Sequence, residues 1–456
     1  MPDTIAAIAT GAVVSAIGIV RISGVDAIAA ADKVFHAAGG VKLRDADNRH
    51  MYYGELTGAD GALVDLCLCF ISREPDSYTG EDTVEFHCHG SPVVLSEILR
   101  MLFSLGVRQA QAGEFTKRAF LNGRLDLTQA EAVIDLIEAE TPSAALNAAG
   151  QLRGAVGLSL EPVYRTLVDV MAHFHAVLDY PDEDIEDFEM QGYLSALRDS
   201  EERLARILST HDRGRVLRDG IPTAIIGRPN TGKSSLLNAL LGYDRAIVTN
   251  IAGTTRDTIE EKISIGGVQL RLIDTAGVRK TDDTIEKLGV ERTLAALSGA
   301  GLVILVLDGS LPLCDEDISA LHSIPPDVPK IAAVNKSDLT HVLSQDDLSG
   351  LGLDSCRISA LTGDGLDLLE SLIGSIFPEL GIPPSGEIIT NARHAESISR
   401  AKDSVCHAIA GISESVTPDA VLTEVESALA AIGEVTGQVM REDVISRIFE
   451  RFCVGK

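Results

Sequence analysis

The stretch "GRPNTGKS", Gly227 to Ser234, constrains this chain more than any other. It fits the pattern G-x-x-x-x-G-K-[ST], with strand-like "TAIIG" before it and helical "SLLNALLG" after it, which is the context that pattern needs. Glycines let backbone N–H groups close round phosphates, and the start of the helix adds its positive end. Lys233 is placed to reach the β- and γ-phosphates, and Ser234 to ligate Mg²⁺. Around this loop "TAIIG", "QLRLIDTAG", "LVILVLDG", "KIAAVNKSD" and "CRISAL" alternate with helical stretches. That rhythm predicts a mostly parallel sheet covered on both faces.

Further motifs follow in order. "DTAG" (Asp274, Thr275, Ala276, Gly277) ends a strand, where Asp274 is placed to hold Mg²⁺ directly or through water and Gly277 lets backbone approach the γ-phosphate. "NKSD" (Asn335, Lys336, Ser337, Asp338) ends another strand. A carboxylate there accepts from guanine N1–H and the 2-amino group, a donor pair adenine lacks, so the motif selects GTP. "SAL" (Ser359, Ala360, Leu361) offers a backbone N–H to guanine O6. "AGTTRD" (Ala252 to Asp257) lies where a switch should, with Gly253, Thr254 and Thr255 in it and Thr255 closing on Mg²⁺; Thr249, Asn250 and Ile251 just before it are added to the expected GTP site. With Asn230, Thr231, Gly232 and Ser235 of the first loop, these residues make the expected GTP site. Ras-like enzymes orient water with a glutamine after the DTAG glycine, but here that position is Val278. A monovalent cation to neutralise charge and an acidic side chain from "TDDTIEKLG" to position water are the candidates. Arg256 and Arg279 read as solvated loop charges.

At 456 residues the chain needs more than one core. We expect four segments: a small α/β domain over 1–118, a first helical part over 119–214, a P-loop α/β domain over 215–379 and a second helical part over 380–456. The stripes Val421, Leu422, Val425, Leu429, Ile432 and Val444, Ile445, Ile448, Phe449, Phe452 are each one-sided and need a partner. The earlier helical block is the simplest one, which makes the nucleotide-binding segment an insert in a single helical domain. The uncharged run Thr4–Val20 lacks a basic leader and carries Gly, Ser and Thr, so it reads as strand-turn-strand and not as a membrane span. A net charge of −28 excludes a surface that coats nucleic acid generally, though a local basic patch or partner would still admit an RNA substrate. Seven scattered cysteines without C-x-x-C suggest no zinc framework or disulfide scaffold, and a reducing cytoplasm fits them. "HCHG", His87 to Gly90, puts two histidines on one strand face with no identifiable third ligand.

Taken with "GIVRISG", "YTGEDTVEFHCHGSPVV", "GEFTKRAFLNGRLDLTQAEAV", "LDYPDEDI" and the tail "FCVGK", these motifs resemble, over essentially the whole length, the bacterial tRNA-modification GTPases called MnmE or TrmE. The resemblance implies an N-terminal α/β domain that dimerises and binds a tetrahydrofolate (5-formyl- or methylene-), a discontinuous helical domain, and an inserted Ras-like GTPase domain. It implies K⁺-stimulated GTP hydrolysis in a cytoplasmic homodimer. With an FAD-containing partner, MnmG or GidA, in a heterotetramer, the complex would modify C5 of the wobble uridine of certain tRNAs. By motif, K⁺ would take Asn230, Thr249, Ile251 and Thr254; Mg²⁺ would take Ser234 and Thr255; Glu286 would orient water. Arg21, Glu85, Arg124 and Lys456 match the family's folate positions. Cationic partners suit a glutamate tail, and a carboxylate suits a pterin-like ring. Two departures fall in this domain: "TGAVVSA" where the family has a Pro-Gly-Arg-Gly type turn, and Gln111-Ala112 where it has Arg-Pro. Cys453 reads more plainly as a buried or structural thiol than as a functional one, although Arg451 and Lys456 are near in sequence. The competing readings are a ribosome-assembly GTPase and a purely mechanical dimerising switch; neither requires folate.

Overall fold

A computed structural model describes residues 3–11, 13–179, 187–247, 261–273, 297, 299–377, 386–414, 416–439, 442–450 and 452–456. The chain divides into two compact units, one of Met1–Ile134, Gln151–Leu204 and Ser397–Lys456, the other of Asp135–Gly150 and Ala205–Glu396.

The first unit carries strands β1 (Ile5–Ile8), β2 (Ser15–Ser23), β3 (Phe35–Ala37), β4 (His50–Thr57), β5 (Leu63–Ser72), β6 (Thr83–Gly90) and β7 (Arg108–Gln109), in the spatial order β3-β4-β5-β6-β2-β1-β7. The uncharged N-terminal run forms the antiparallel pair β1–β2, strand-turn-strand as its composition predicts. Period-2 alternation sorts β2: Val20 and Ile22 are buried in the core while Arg21 turns to the other face. Helices Ala27–Val34 and Pro92–Ser104 cover the inner face and bury Ala31, Ile98 and Leu102 against it. Ser91 occupies the N-cap of the latter, but its side chain makes no cap bond; Pro92 at the first helical position needs none.

Helix Ala155–Asp179 packs along helix Pro418–Thr436, whose Val421, Leu422, Val425 and Ile432 are buried. The chain that returns after the second unit thus completes a helical layer begun before it. The last helix, Glu442–Phe449, packs on helix Glu114–Leu121. Ile445, Phe449 and Phe452 join Leu127 and Ala130 in one apolar cluster. Val444 departs from the expected stripe: it is 36% exposed, one position off the face that Ile445 and Phe449 bury. Among the described residues, no helix is long and apolar enough to cross a membrane.

The second unit carries β8 (Ile221–Ile226), β9 (Glu261–Ile265), β10 (Val268–Leu272), β11 (Leu302–Asp308), β12 (Lys330–Asn335) and β13 (Asp354–Arg357), ordered β13-β12-β11-β8-β10-β9. All ladders are parallel except that of the edge strand β9 with β10. Every residue of β11 is buried, the continuous apolar run expected for a central strand covered on both faces. The order reverses at β8, so the loop after it opens at a topological switch point, where α/β sheets bind ligands.

Replacing Phe449 by Ala should empty the centre of the terminal cluster. Such a change costs about 3–5 kcal/mol in a packed core, and a marked fall in the unfolding temperature of the first unit is the expected result by calorimetry.

Candidate functional site

The loop Gly227–Gly232 leaves the end of β8 and runs into helix Lys233–Ile247. Asn230 takes the left-handed conformation at φ 63°. Gly232 sits at φ 96°, where a Cβ would lie 2.1 Å from Asn335 Nδ2, so a side chain is excluded for strain and for space. Lys233 Nζ donates to the carbonyls of Gly227 and Arg228, each at 2.8 Å, which holds its ammonium over the loop. Burial pushes the Lys233 ammonium below its ordinary pKa, and that cost favours a negatively charged partner.

Asn335, 3% exposed at the end of β12, ties this loop to the next one. Its Nδ2 donates to the Thr231 carbonyl at 2.8 Å, and its Oδ1 accepts from the Ala360 amide at 2.9 Å. The amide expected to meet guanine O6 therefore already has an acceptor. Ser359 Oγ donates to Asp338 Oδ1 at 2.7 Å and orients that carboxylate, and the Ser337 amide donates to the Ile358 carbonyl at 3.0 Å. Lys336, at φ 68°, donates to Asp308 Oδ2 at 2.6 Å. Burial pushes the Asp308 carboxyl up, but Lys336 and two bonds from Ser310 outweigh it and hold it low. Ser234 and Ser235 open the helix beside the loop, and Leu361 is exposed at 83%. Asn230 to Ser235, Asn335 to Asp338 and Ser359 to Leu361 thus gather at one edge of the sheet. The switch residues Thr249 to Thr255, Asp274 to Gly277 and the proposed water-orienting Glu286 lie outside the described residues, as do Arg256, Val278 and Arg279.

A second cluster lies in the first unit. Arg21 on β2 and Glu85 on β6 are direct cross-strand partners, and Arg21 Nε donates to Glu85 Oε1 at 2.7 Å. Each side chain is 21% exposed, so the pair is open on one side. The Arg21 guanidinium lies against the rings of Tyr78 and Phe115, 5.5 Å from each centroid. Tyr78 Oη and Thr116 Oγ1 share a 2.9 Å bond. Glu85 Oε2 is 3.3 Å from His87 Nε2, while His89 pairs with Asp65 at 2.7 Å. The two histidines therefore serve different carboxylates, and among the described residues no cluster suits a metal ion. Arg124 is exposed; its Cγ lies near Gly80, in the same segment as Tyr78.

The tail reaches this cluster. Ala112 and Val454 form an antiparallel bridge, the Gly113 amide donates to the Cys453 carbonyl at 3.3 Å, and the Phe115 amide donates to the Lys456 carbonyl at 3.2 Å. Gly455 adopts φ 100°, and a Cβ there would meet the Ile8 carbonyl oxygen at 2.2 Å. Lys456 is thus held through the backbone of the residue whose ring contacts Arg21. Cys453 corrects the expectation of a buried thiol: it is exposed, and its backbone carbonyl, not its thiol, holds the Gly113 amide. Tyr78, Phe115 and Thr116 are the functional candidates that sequence reasoning missed. Tyr78 and Phe115 lie inside the quoted motifs "YTGEDTVEF" and "GEFTKRAF", but no local pattern says that two separate segments meet at one arginine.

A family model described as MnmE helical domain matches residues 127–453, and one described as GTP-binding protein TrmE N-terminus matches residues 4–124. Curated relatives called tRNA modification GTPase MnmE match from end to end. That of Clostridioides difficile (strain 630) is 38% identical over 457 residues, covering 100% of this chain and 99% of the relative. That of Lactococcus lactis subsp. cremoris (strain SK11) is 42% identical over 456 residues, covering 100% and 98%. Among solved structures, the G domain of the T. maritima FeoB iron transporter is 31% identical over 34% of this chain and 96% of its own, with a TM-score of 0.26, too low to add to the sheet order above. The G-x-x-x-x-G-K-S loop held to the NKSD segment by Asn335, two family models spanning nearly the whole chain and full-length relatives all agree: this chain belongs to the MnmE family of tRNA modification GTPases, enzymes that hydrolyse GTP.

Proposed function

We propose that this chain couples K⁺-stimulated GTP hydrolysis to one-carbon chemistry at C5 of the wobble uridine of certain tRNAs. A tetrahydrofolate supplies the carbon, and an FAD-containing MnmG partner completes a cytoplasmic heterotetramer with two copies of this chain. The observation that carries the folate part is the Arg21–Glu85 pair, part-exposed and backed by Tyr78 and Phe115. Glu85 offers a carboxylate to the donor edge of a pterin-like ring, and the two aromatic rings give flat apolar surface beside it. Arg124 and Lys456 supply cations for a glutamate tail. Lys456 is held close through the Phe115 amide. A second copy is supported by the outward face of β4 and β5, where Tyr53 and Leu68 are register partners exposed at 55% and 40%, beside Leu66 at 41%. Bare apolar surface of that kind marks an interaction site.

In the GTPase unit, Lys233 and the amides of its loop bind the phosphates. Asp338, oriented by Ser359, accepts the guanine N1–H and 2-amino group. Val278 cannot orient water, and Glu286 takes that role as acceptor of a water hydrogen bond. The site's residues fit the ions. The Ser234 hydroxyl opens the helix beside the loop and would join Thr255 in holding Mg²⁺; Asn230, exposed at φ 63°, would offer a neutral amide oxygen to K⁺ with Thr249, Ile251 and Thr254. Bound there, the two cations supply positive charge that offsets charge building on the phosphates.

Titration with 5-formyl-tetrahydrofolate should give micromolar or tighter binding. Glu85→Gln should weaken it by roughly ten- to a hundredfold, the range for a lost charge-assisted hydrogen bond; unchanged affinity refutes the pocket. Exchanging K⁺ for Na⁺ should slow GTP hydrolysis, and equal rates would remove the cation role of Asn230.

A further inference from the structure

Tyr78 and Phe115 stand on different elements: Tyr78 in the segment between β5 and β6, Phe115 in helix Glu114–Leu121. Their common contact with Arg21 depends on whatever holds that segment to that helix. Arg118, one turn beyond Phe115, does so through both terminal nitrogens of its guanidinium, alongside the Tyr78–Thr116 bond and the 2.8 Å bond from Asn122 Nδ2 to the Thr79 carbonyl. Its side chain is 11% exposed. Nη1 donates to the Asp3 carbonyl at 2.8 Å and to Glu81 Oε2 at 3.0 Å; Nη2 donates to Asp3 Oδ1 at 2.7 Å and to Glu114 Oε1 at 3.0 Å.

Each acceptor is fixed in its turn. Glu81 Oε2 takes the Ser23 hydroxyl at 2.8 Å, and Ser23 shares a 2.8 Å bond with Thr79, next to Tyr78. Glu114 Oε2 takes the Gln111 amide at 2.7 Å and Arg108 Nη1 at 3.1 Å. Arg108, and after it Arg118, holds the Asp3 carboxyl down at about 2. Burial raises the Glu114 carboxyl, but Arg108, the Gln111 amide and Arg118 together hold it low. Two guanidinium groups thus join three carboxylates from the chain start, the Tyr78 segment and the Phe115 helix. Only a planar fork with several N–H groups reaches so many acceptors at once; a lysine ammonium is a point charge.

We propose that Arg118 is a positioning residue for the folate site: it locks the Glu81 segment to the Phe115 helix, so that Tyr78 and Phe115 keep Arg21 aligned on Glu85. This rests on the folate reading above. Arg118 touches neither Arg21 nor Glu85 among its hydrogen bonds; it reaches them through the two rings and through Glu81 and Ser23, which ends the strand that carries Arg21.

The test is a double-mutant cycle on the full-length protein, with 5-formyl-tetrahydrofolate binding and GTP turnover both measured. Arg118→Met should weaken folate binding about tenfold in the otherwise unchanged chain and leave GTP turnover as it was. In a Tyr78→Leu background the same change should add less than about twofold, because coupled residues are non-additive. Arg118→Lys should not restore affinity. Glu81→Gln, which removes charge but little volume, should reproduce the Arg118→Met pattern and stands in for it if that variant does not fold. Unchanged affinity in Arg118→Met or Glu81→Gln overturns the proposal, as does an equal loss with and without Tyr78, the mark of a general structural role. Failure of the unaltered chain to bind folate removes the folate reading itself and this proposal with it, a result distinct from both.

Discussion

The first unit depends on the docking of residues 452–456 against Ala112–Phe115 and the Ile8–Ala9 backbone. Ends of chains usually fray because few contacts hold them. Here two backbone hydrogen bonds, donated by the Gly113 and Phe115 amides, a β-bridge and the glycine approach at Gly455 hold the end in place. Phe449 and Phe452 bring it there by burying themselves with Leu127 and Ala130. A chain that must return its last residues to the sheet of its first strands has to loop out anything inserted between. The helices before and after the nucleotide-binding unit form one layer, and the MnmE helical-domain model matches residues 127–453.

Both sites rest on one design: a mostly buried polar side chain that joins two loops. Asn335 does this for the phosphate loop and the Ser359 turn, with one amide group serving a carbonyl on one side and an N–H on the other. Arg118 does it for the Tyr78 segment and the Phe115 helix. A buried polar group is costly unless fully paired, so such a group specifies one arrangement of the loops it bridges. The net charge of −28 does not describe this part of the first unit, where part-buried arginines are each paired with carboxylates.

Local chemistry made the nucleotide site readable in sequence. Glycines, a lysine and the acidic and amide residues of "NKSD" stand at strand ends, so spacing alone predicted that they lie together, and the Asn335 bonds tie their segments. The strands of the second unit were equally legible, being apolar runs between turns. The Arg21–Glu85 cluster was not. Arg21 and Glu85 become partners only through the β2–β6 register, over a separation of 64 residues, and resemblance alone had singled them out. Tyr78 and Phe115 carry no motif chemistry; a sequence shows aromatic residues but not which cation they meet. Cys453 and Val444 depart from the expectation because one position of register or rotation decides which side faces water: Val444 is 36% exposed beside the buried Ile445 and Phe449.

The central claim is that the docked tail serves the folate site and not the nucleotide site. It is tested most directly by nucleoside analysis of tRNA from a strain in which this chain is replaced by one lacking Cys453–Lys456, with GTP turnover of the truncated protein measured alongside. Loss of the C5-modified wobble uridine with GTP turnover retained is the predicted result. Modified wobble uridine persisting at its usual level would contradict it.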